Sequence, residues 1–409
     1  MPAAAVVGAG VVGLVTAWRL RLAGHAVTII DPAPGSEASY AAAGMLAPIS
    51  EVQYGQDLLR PSMTAAQAEY PELIDSLSRA TEAPTGYWEN GTLQVAADAA
   101  DRQAAAELVS VQRDCGMDVA PLTSSALRRR EPSLAPGLAK AWDVPSDHQV
   151  DPRILVAATS AALNADLAAS HPDAGPPAVW VTQRVTAVET NSGSGTEASA
   201  VTITTDDDEH RRFERAALVP GLGYQQIAGL PQRYPLPLRP VHGDVLRLRV
   251  RPDQLMPGET HVLRATVRAR VSGRPVYLVP RQDGGLVIGA SAREDGLAGT
   301  HAGSVAELLE DAITVLPAVR DMELVEITSR ARPGTPDDRP YLGLLSGDPA
   351  VVVSTGFHRH GILLAPLAAK LTAELLTGEQ VSEADQQILA QLSPARRPQP
   401  GGTHAPTGG

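Results

Sequence analysis

The chain has 409 residues, 44% hydrophobic and 20% charged, more than one ordinary hydrophobic core accommodates, so two domains are expected. A formal net charge of -12 excludes a nucleic-acid binder that neutralises phosphates with an excess of Lys and Arg, and a single cysteine, Cys115, excludes an internal disulfide or a multi-cysteine metal site. No cationic leader precedes the apolar start, and that stretch is broken before it could span a bilayer, so a cytoplasmic protein without a membrane partner is expected.

Residues 3–7 are an apolar run bounded by glycine, which predicts a buried parallel strand. Helical periodicity follows over 11–23, with Val11, Leu14, Val15, Trp18 and Leu22 on one side, and Gly24 ends it. A second strand is predicted at 26–31, stopped by Pro32. Further along, helix is predicted at 62–80, strand at 91–95 after the turn Asn90-Gly91, and helix at 99–114. The run Arg128-Arg129-Arg130 reads as a solvated helix end. Strands at 178–190 and 200–204 pair across a polar loop, 191–197, and strands at 245–250, 276–279 and 285–289 form an antiparallel sheet able to floor a ligand site. A helix at 303–315, a strand at 350–354 and a last helix at 361–377 follow, and 393–409 reads as a disordered tail.

The strand, turn, helix and strand at the start enclose Gly8-Ala9-Gly10-Val11-Val12-Gly13. Gly8 permits a sharp turn, Gly10 removes a side chain where a pyrophosphate must approach, and Gly13 lets helix and strand pack closely. Asp31 closes the second strand, where a carboxylate accepts from ribose hydroxyls and repels a 2′-phosphate. These residues predict a dinucleotide site and leave FAD and NAD open.

Three later blocks narrow the choice: Ser39-Tyr-Ala-Ala-Ala-Gly44-Met-Leu-Ala-Pro48, Arg332-Pro-Gly-Thr335-Pro-Asp337, and Ser354-Thr-Gly356 running on to Gly361-Ile-Leu-Leu-Ala-Pro366. With Gly91-Thr-Leu, Gln149-Val-Asp-Pro152, Arg239-Pro-Val and Tyr277-Leu-Val-Pro-Arg281, they make the chain resemble the D-amino acid oxidase superfamily, closest to the glycine oxidases of thiamine biosynthesis. The resemblance implies an α/β protein: a discontinuous Rossmann-like FAD-binding domain (1–83, 147–230 and 331–392) plus an α+β substrate domain (84–146 and 231–330) with a large antiparallel sheet. It implies noncovalent FAD held by Gly8, Ala9, Gly10, Val11, Val12, Gly13, Asp31, Ser39, Ala42, Ala43, Gly44, Met45, Leu46, Val185, Gly221, Gly223, Arg332, His358, Arg359, His360, Gly361, Ile362 and Leu363. No metal is implied.

For chemistry, the resemblance assigns Arg332 to the substrate carboxylate, a pairing that suits a guanidinium fork, with Tyr277 and Arg359 in the same pocket. The implied reaction is oxidative deamination of a small amino acid or amine, glycine to glyoxylate first, with dioxygen as final acceptor. Sarcosine, a D-amino acid, a specialised-metabolite amine, or a dehydrogenase passing electrons to another acceptor are the alternatives, and family habit favours a homo-oligomer. Two departures from the family pattern stand out. The loop reads Phe357-His358-Arg359-His360 where the family commonly has His-aromatic-Arg-Asn, and Pro220 lacks the N–H of the family's alanine or threonine.

Overall fold

A computed structural model describes residues 1–191, 200–255, 257–345 and 349–396, so most of the loop 191–197 and the tail beyond 396 lie outside the described residues. The first strand, Ala3–Val7, is central in a six-stranded sheet in the order Tyr341–Leu344, Val351–Thr355, Arg215–Leu218, Ala3–Val7, Ala26–Ile30, Val179–Val181. All neighbours are parallel except the first pair. Alternation along the first strand explains the layers. Ala4 and Val6 join a core with the helices Val11–Leu22, Pro152–Asn164 and Gly361–Thr377. Ala5 and Val7 face the other way, onto a three-stranded antiparallel sheet through Val185, Val188, Val201 and Ile203. A parallel strand covered on both sides must be apolar throughout, which is why the run was legible.

The second large sheet has eight strands, ordered Glu323–Gly334, Arg239–Arg249, Gly285–Gly289, Arg274–Pro280, Thr266–Val271, Thr92–Ala96, Lys140–Val144, Ala120–Leu122. Period two again sorts its residues. Leu246, Leu248, Val267, Leu278 and Ile288 pack under the helix Ala302–Val315, whereas Val245, Tyr277, Val279 and Val287 lie on the opposite face with Ala43 and Met45.

Several expectations need correction. The helix expected over 62–80 is two helices, Arg60–Ala68 and Tyr70–Ala80, because Pro71 has no N–H to continue the ladder. The strand expected over 178–190 is broken into Val179–Val181 in the parallel sheet and Val185–Asn191 in the small antiparallel one. Of the basic run, Arg128 and Arg129 are exposed, but Arg130 pairs with Asp143 at 2.5 Å. The start of the expected tail is docked: Arg396 bonds to Asp337 at 3.0 Å and to the Pro340 carbonyl at 3.0 Å.

One ion pair ties the two layers of the molecule together. Arg153, in the first turn of Pro152–Asn164, meets both carboxylate oxygens of Glu326 at 2.9 and 2.7 Å. The fork holds Glu326 down at about 2 from its ordinary 4.5. A lowered carboxyl contributes stability above its unfolded value that disappears as pH falls from about 4.5 to about 2. Glu326→Gln is therefore expected to cost on the order of 1 kcal/mol near neutral pH, discounted for partial exposure. The Tm of variant and parent should converge toward pH 2; a gap independent of pH would mean that the loss is packing alone.

Candidate active site

The sequence motifs meet along one edge. Val7, Ile30 and Leu218 are register partners across the parallel sheet, and Val353 extends that row. Gly8, Asp31, the turn at Gly221 and the loop from Gly356 all leave its carboxyl edge, where ligands of open α/β sheets bind. A Cβ on Gly8 would lie 2.4 Å from the Val219 carbonyl oxygen, and one on Gly13 would lie 1.9 Å from the Gly8 carbonyl oxygen. The turn thus has no room for side chains on its protein side. Gly10 differs: its Cβ would meet only the Ser39 hydroxyl, at 3.2 Å.

Asp31 is committed to the protein more than its position promised. Its two oxygens accept from Ala9 N and Ala33 N, each at 2.7 Å, so it braces the glycine turn and keeps only its remaining lone pairs for a ribose. Ser39 accepts from Val11 N at 3.0 Å. Among the described residues, the N–H groups of Gly10, Val12 and Gly13 find no protein acceptor. The same holds for Gly361, Ile362 and Leu363 at the start of Gly361–Thr377, a helix that packs beside Val11–Leu22. Two helix N-termini with unsatisfied donors fit the two anionic demands of a flavin dinucleotide, its pyrophosphate and the charge its ring gains on reduction. Gly221 and Gly223 lie in the 3₁₀ turn Gly221–Gln226, fastened where Thr355 donates to the Gly221 carbonyl at 3.0 Å, while Val185 is a buried strand start in the layer beneath.

The segment 39–46 is fastened by arginines in or just after strands of the eight-stranded sheet, Arg247 and Arg281, to which no role had been assigned. Arg281 donates to the Ala43 carbonyl at 2.6 Å and to Gln149 at 2.8 Å, and burial lowers its pKa to about 10. Arg247 reaches the carbonyls of Tyr40 and Ala42 at 3.3 and 3.4 Å. An arginine on the inward face of a strand is a signal in itself, since burying it requires an acceptor. Gly44 fits against the Val150 carbonyl; Met45 and Leu46 pair with Gln149 and His148.

Across the sheet from this segment, Tyr277 and Arg332 converge. Tyr277 is cross-strand from Gly289, and its hydroxyl lies where a Gly289 Cβ would be, 2.3 Å from that position. The Arg332 guanidinium lies likewise over Gly243, 2.3–2.6 Å from the missing Cβ. Two glycines in adjacent strands, Gly243 and Gly289, therefore make the floor on which both side chains lie flat. The only protein hydrogen bond of the Arg332 side chain among the described residues is to the Ser291 carbonyl at 3.2 Å, and it has no ion pair there. Burial pushes the Tyr277 hydroxyl up, which keeps it a donor.

The loop after Gly356 brings a further charged group. Phe357 is buried, His358 takes a left-handed φ of 47° and pairs with Asp338 at 3.2 Å, and His360 is buried with Nδ1 3.5 Å from Glu51. Glu51 was not foreseen. It receives Arg268 Nη1 at 2.5 Å and stands 3.9 Å from Arg359. Desolvation opposes its charge, but Arg268 with His360 and Arg359 overrides it and holds the carboxyl far below its ordinary range.

Residues 3–375 match the family described as FAD dependent oxidoreductase. The chain belongs to that family. Its cofactor is FAD, as the paired helix N-termini allow. This oxidoreductase is 31% identical over 384 residues to the bifunctional protein ThiO/ThiG of Nostoc sp., covering 92% of this chain and 53% of that protein; it thus spans about half the length of such relatives. It is 28% identical to the glycine oxidase of Geobacillus kaustophilus over 92% of this chain and 93% of that one. The crystal structure of glycine oxidase from the same organism superposes with a TM-score of 0.80 at 29% identity, over 98% of this chain and all of that one. Among the described residues no helix is long and apolar enough to cross a membrane.

Proposed function

We propose that this oxidoreductase oxidises a small amino acid or amine at the carbon next to nitrogen, with glycine giving glyoxylate as the first candidate. The observation that carries the reading is Arg332, a guanidinium laid flat over Gly243 beside Tyr277 with no carboxylate of its own. A charged fork in that state fits an incoming carboxylate. On this reading residues 1–83, 147–230 and 331–392 hold the cofactor, through Gly8–Gly13, Asp31, Ser39, 42–46, Gly221, Gly223 and 358–363, while 84–146 and 231–330 supply most of the substrate side.

Bound FAD supplies the acceptor for the hydride that leaves the substrate carbon. The protein's share is orientation: Arg332 and Tyr277 fix the carboxylate, which directs the Cα–H bond, and the turn 47–51 brings Glu51 to Arg268 and Arg359, held where Asp147 accepts from Ile49 N and Ser50 N at 3.2 and 2.7 Å. As the C–H bond breaks, the nitrogen lone pair closes a C=N bond, and water then hydrolyses the imine to an oxoacid and ammonia. Dioxygen takes up the electron pair with two protons as hydrogen peroxide.

Glycine, sarcosine or a D-amino acid mixed anaerobically with the purified holoenzyme is expected to bleach the flavin, and air is expected to restore it with one peroxide per turnover. If none of these amines bleaches the flavin, the proposal fails.

A further inference from the structure

The pocket holds more positive charge than one carboxylate uses. Arg268, Arg332 and Arg359 all lie within electrostatic reach of Tyr277, and Glu51 is the one acidic side chain in that set. Its charge is already taken: Arg268 holds it at 2.5 Å, and Arg359 reaches it only at 3.9 Å. The histidines beside it offer no further carboxylate: His360 also leans on Glu51, and the Asp338 near His358 is shared with Arg239.

Position separates the arginines into two groups. Arg332 lies over Gly243 and, with Tyr277, accounts for one anionic group. Arg268 lies on the far side of Tyr277: the two residues are cross-strand partners, so both side chains rise from the same face of the sheet. The hydrogen bonds of Arg268 among the described residues all use Nη1, to Glu51 and to Met45 Sδ at 3.7 Å, leaving Nε and Nη2 without a protein acceptor. Arg359 comes from the opposite wall and keeps 28% of its side chain exposed. Two guanidinium groups thus share the one carboxylate of Glu51, and a ligand anion can supply the compensation that it does not.

We propose, building on the amine-oxidising reading above, that the pocket also takes an amino acid carrying a second carboxylate, which docks beside Arg268 and Arg359 while the first docks on Arg332, the one site that glycine fills. Glu51 is a positioning residue here. It holds Arg268 and Arg359 facing each other and removes one positive charge, so that a dianion is preferred and the empty pocket does not carry three uncompensated guanidinium groups.

The test uses binding to the oxidised holoenzyme, read by isothermal titration and by the flavin absorbance change. The probes are oxydiacetate and methoxyacetate, ethers that lack the amine and cannot be oxidised to an imine. Both offer one carboxylate to Arg332, and only oxydiacetate offers a second. Oxydiacetate is expected to bind about tenfold or more tightly than methoxyacetate, as a charge-assisted bond to a guanidinium implies, and the gap is expected to shrink with added salt. In a Glu51→Gln/Arg268→Gln variant, which removes the ion pair and leaves Arg359 as the one cation of the second site, the gap is expected to fall severalfold while methoxyacetate affinity stays within about twofold. Equal affinities in the parent holoenzyme, or an unchanged gap in the double variant, overturn the proposal. A holoenzyme that glycine reduces but that binds both ethers equally loses only the second-carboxylate site; one that no amine reduces loses the oxidation, while the ethers still decide the anion site.

Discussion

Arg332→Ala is expected to lower kcat/KM for an amino acid substrate by between roughly 30-fold and several thousand-fold, the cost of about 2–5 kcal/mol for truncating one partner of a desolvated charge pair. The side chain makes one hydrogen bond to the protein, to the Ser291 carbonyl, so little folding stability depends on it. The loss should therefore appear in substrate affinity, measured as the concentration dependence of anaerobic flavin reduction, with flavin content and Tm close to the parent's. Arg332→Lys should fall between, because an ammonium keeps the charge but not the fork. If Arg332→Ala binds and reduces as the parent does at low substrate, the carboxylate lies elsewhere in the pocket. If the flavin is lost as well, Arg332 is a cofactor residue, and the affinity loss says nothing of substrate.

How much of this site was legible beforehand follows from how far apart its partners are in sequence. The glycine turn is local: strand, turn and helix lie within twenty residues, and each glycine answers to a neighbour such as Gly8 against Gly13. The helix Gly361–Thr377 was equally plain, from a long apolar run opened by glycine. Glu51 and Arg268 are 217 residues apart, and Arg281 and Ala43 are 238 apart, so no period or spacing links them. What the sequence did offer was a charge inside a predicted strand, at Arg247, and such a residue must be exposed or find an acceptor in the fold; Arg268 lies in a strand that was not predicted, and Arg281 just follows one. Asp31 shows the converse limit. Its place at a strand end pointed to a ribose, but the bonds to Ala9 N and Ala33 N give it a bracing task that depends on the folded turn. The break at Pro71 is written in the residue itself, and the single helix expected over 62–80 took no account of it.

Gly13→Ala and Gly10→Ala are expected to separate two tasks that one motif combines. A methyl group on Gly13 would lie 1.9 Å from the Gly8 carbonyl oxygen, a backbone atom that cannot swing aside, so helix and strand must part. The expected result is a loss of about 1–3 kcal/mol or more in the apoprotein, the range for overpacking a closely fitted contact, together with loss of FAD. On Gly10 the same methyl group meets only the Ser39 hydroxyl at 3.2 Å, which can shift at the expense of its bond from Val11 N, so the apoprotein Tm should fall much less than for Gly13→Ala. Retention of FAD should nevertheless fall, because the methyl group projects from the open side of the turn, where the pyrophosphate is proposed to lie. Apoprotein Tm and the flavin-to-protein ratio after dialysis measure the two effects independently. A Gly10→Ala protein that keeps its flavin as the parent does would show that the phosphates do not approach over Gly10, and the anion site would then have to be sought at the other unsatisfied helix start, Gly361 to Leu363.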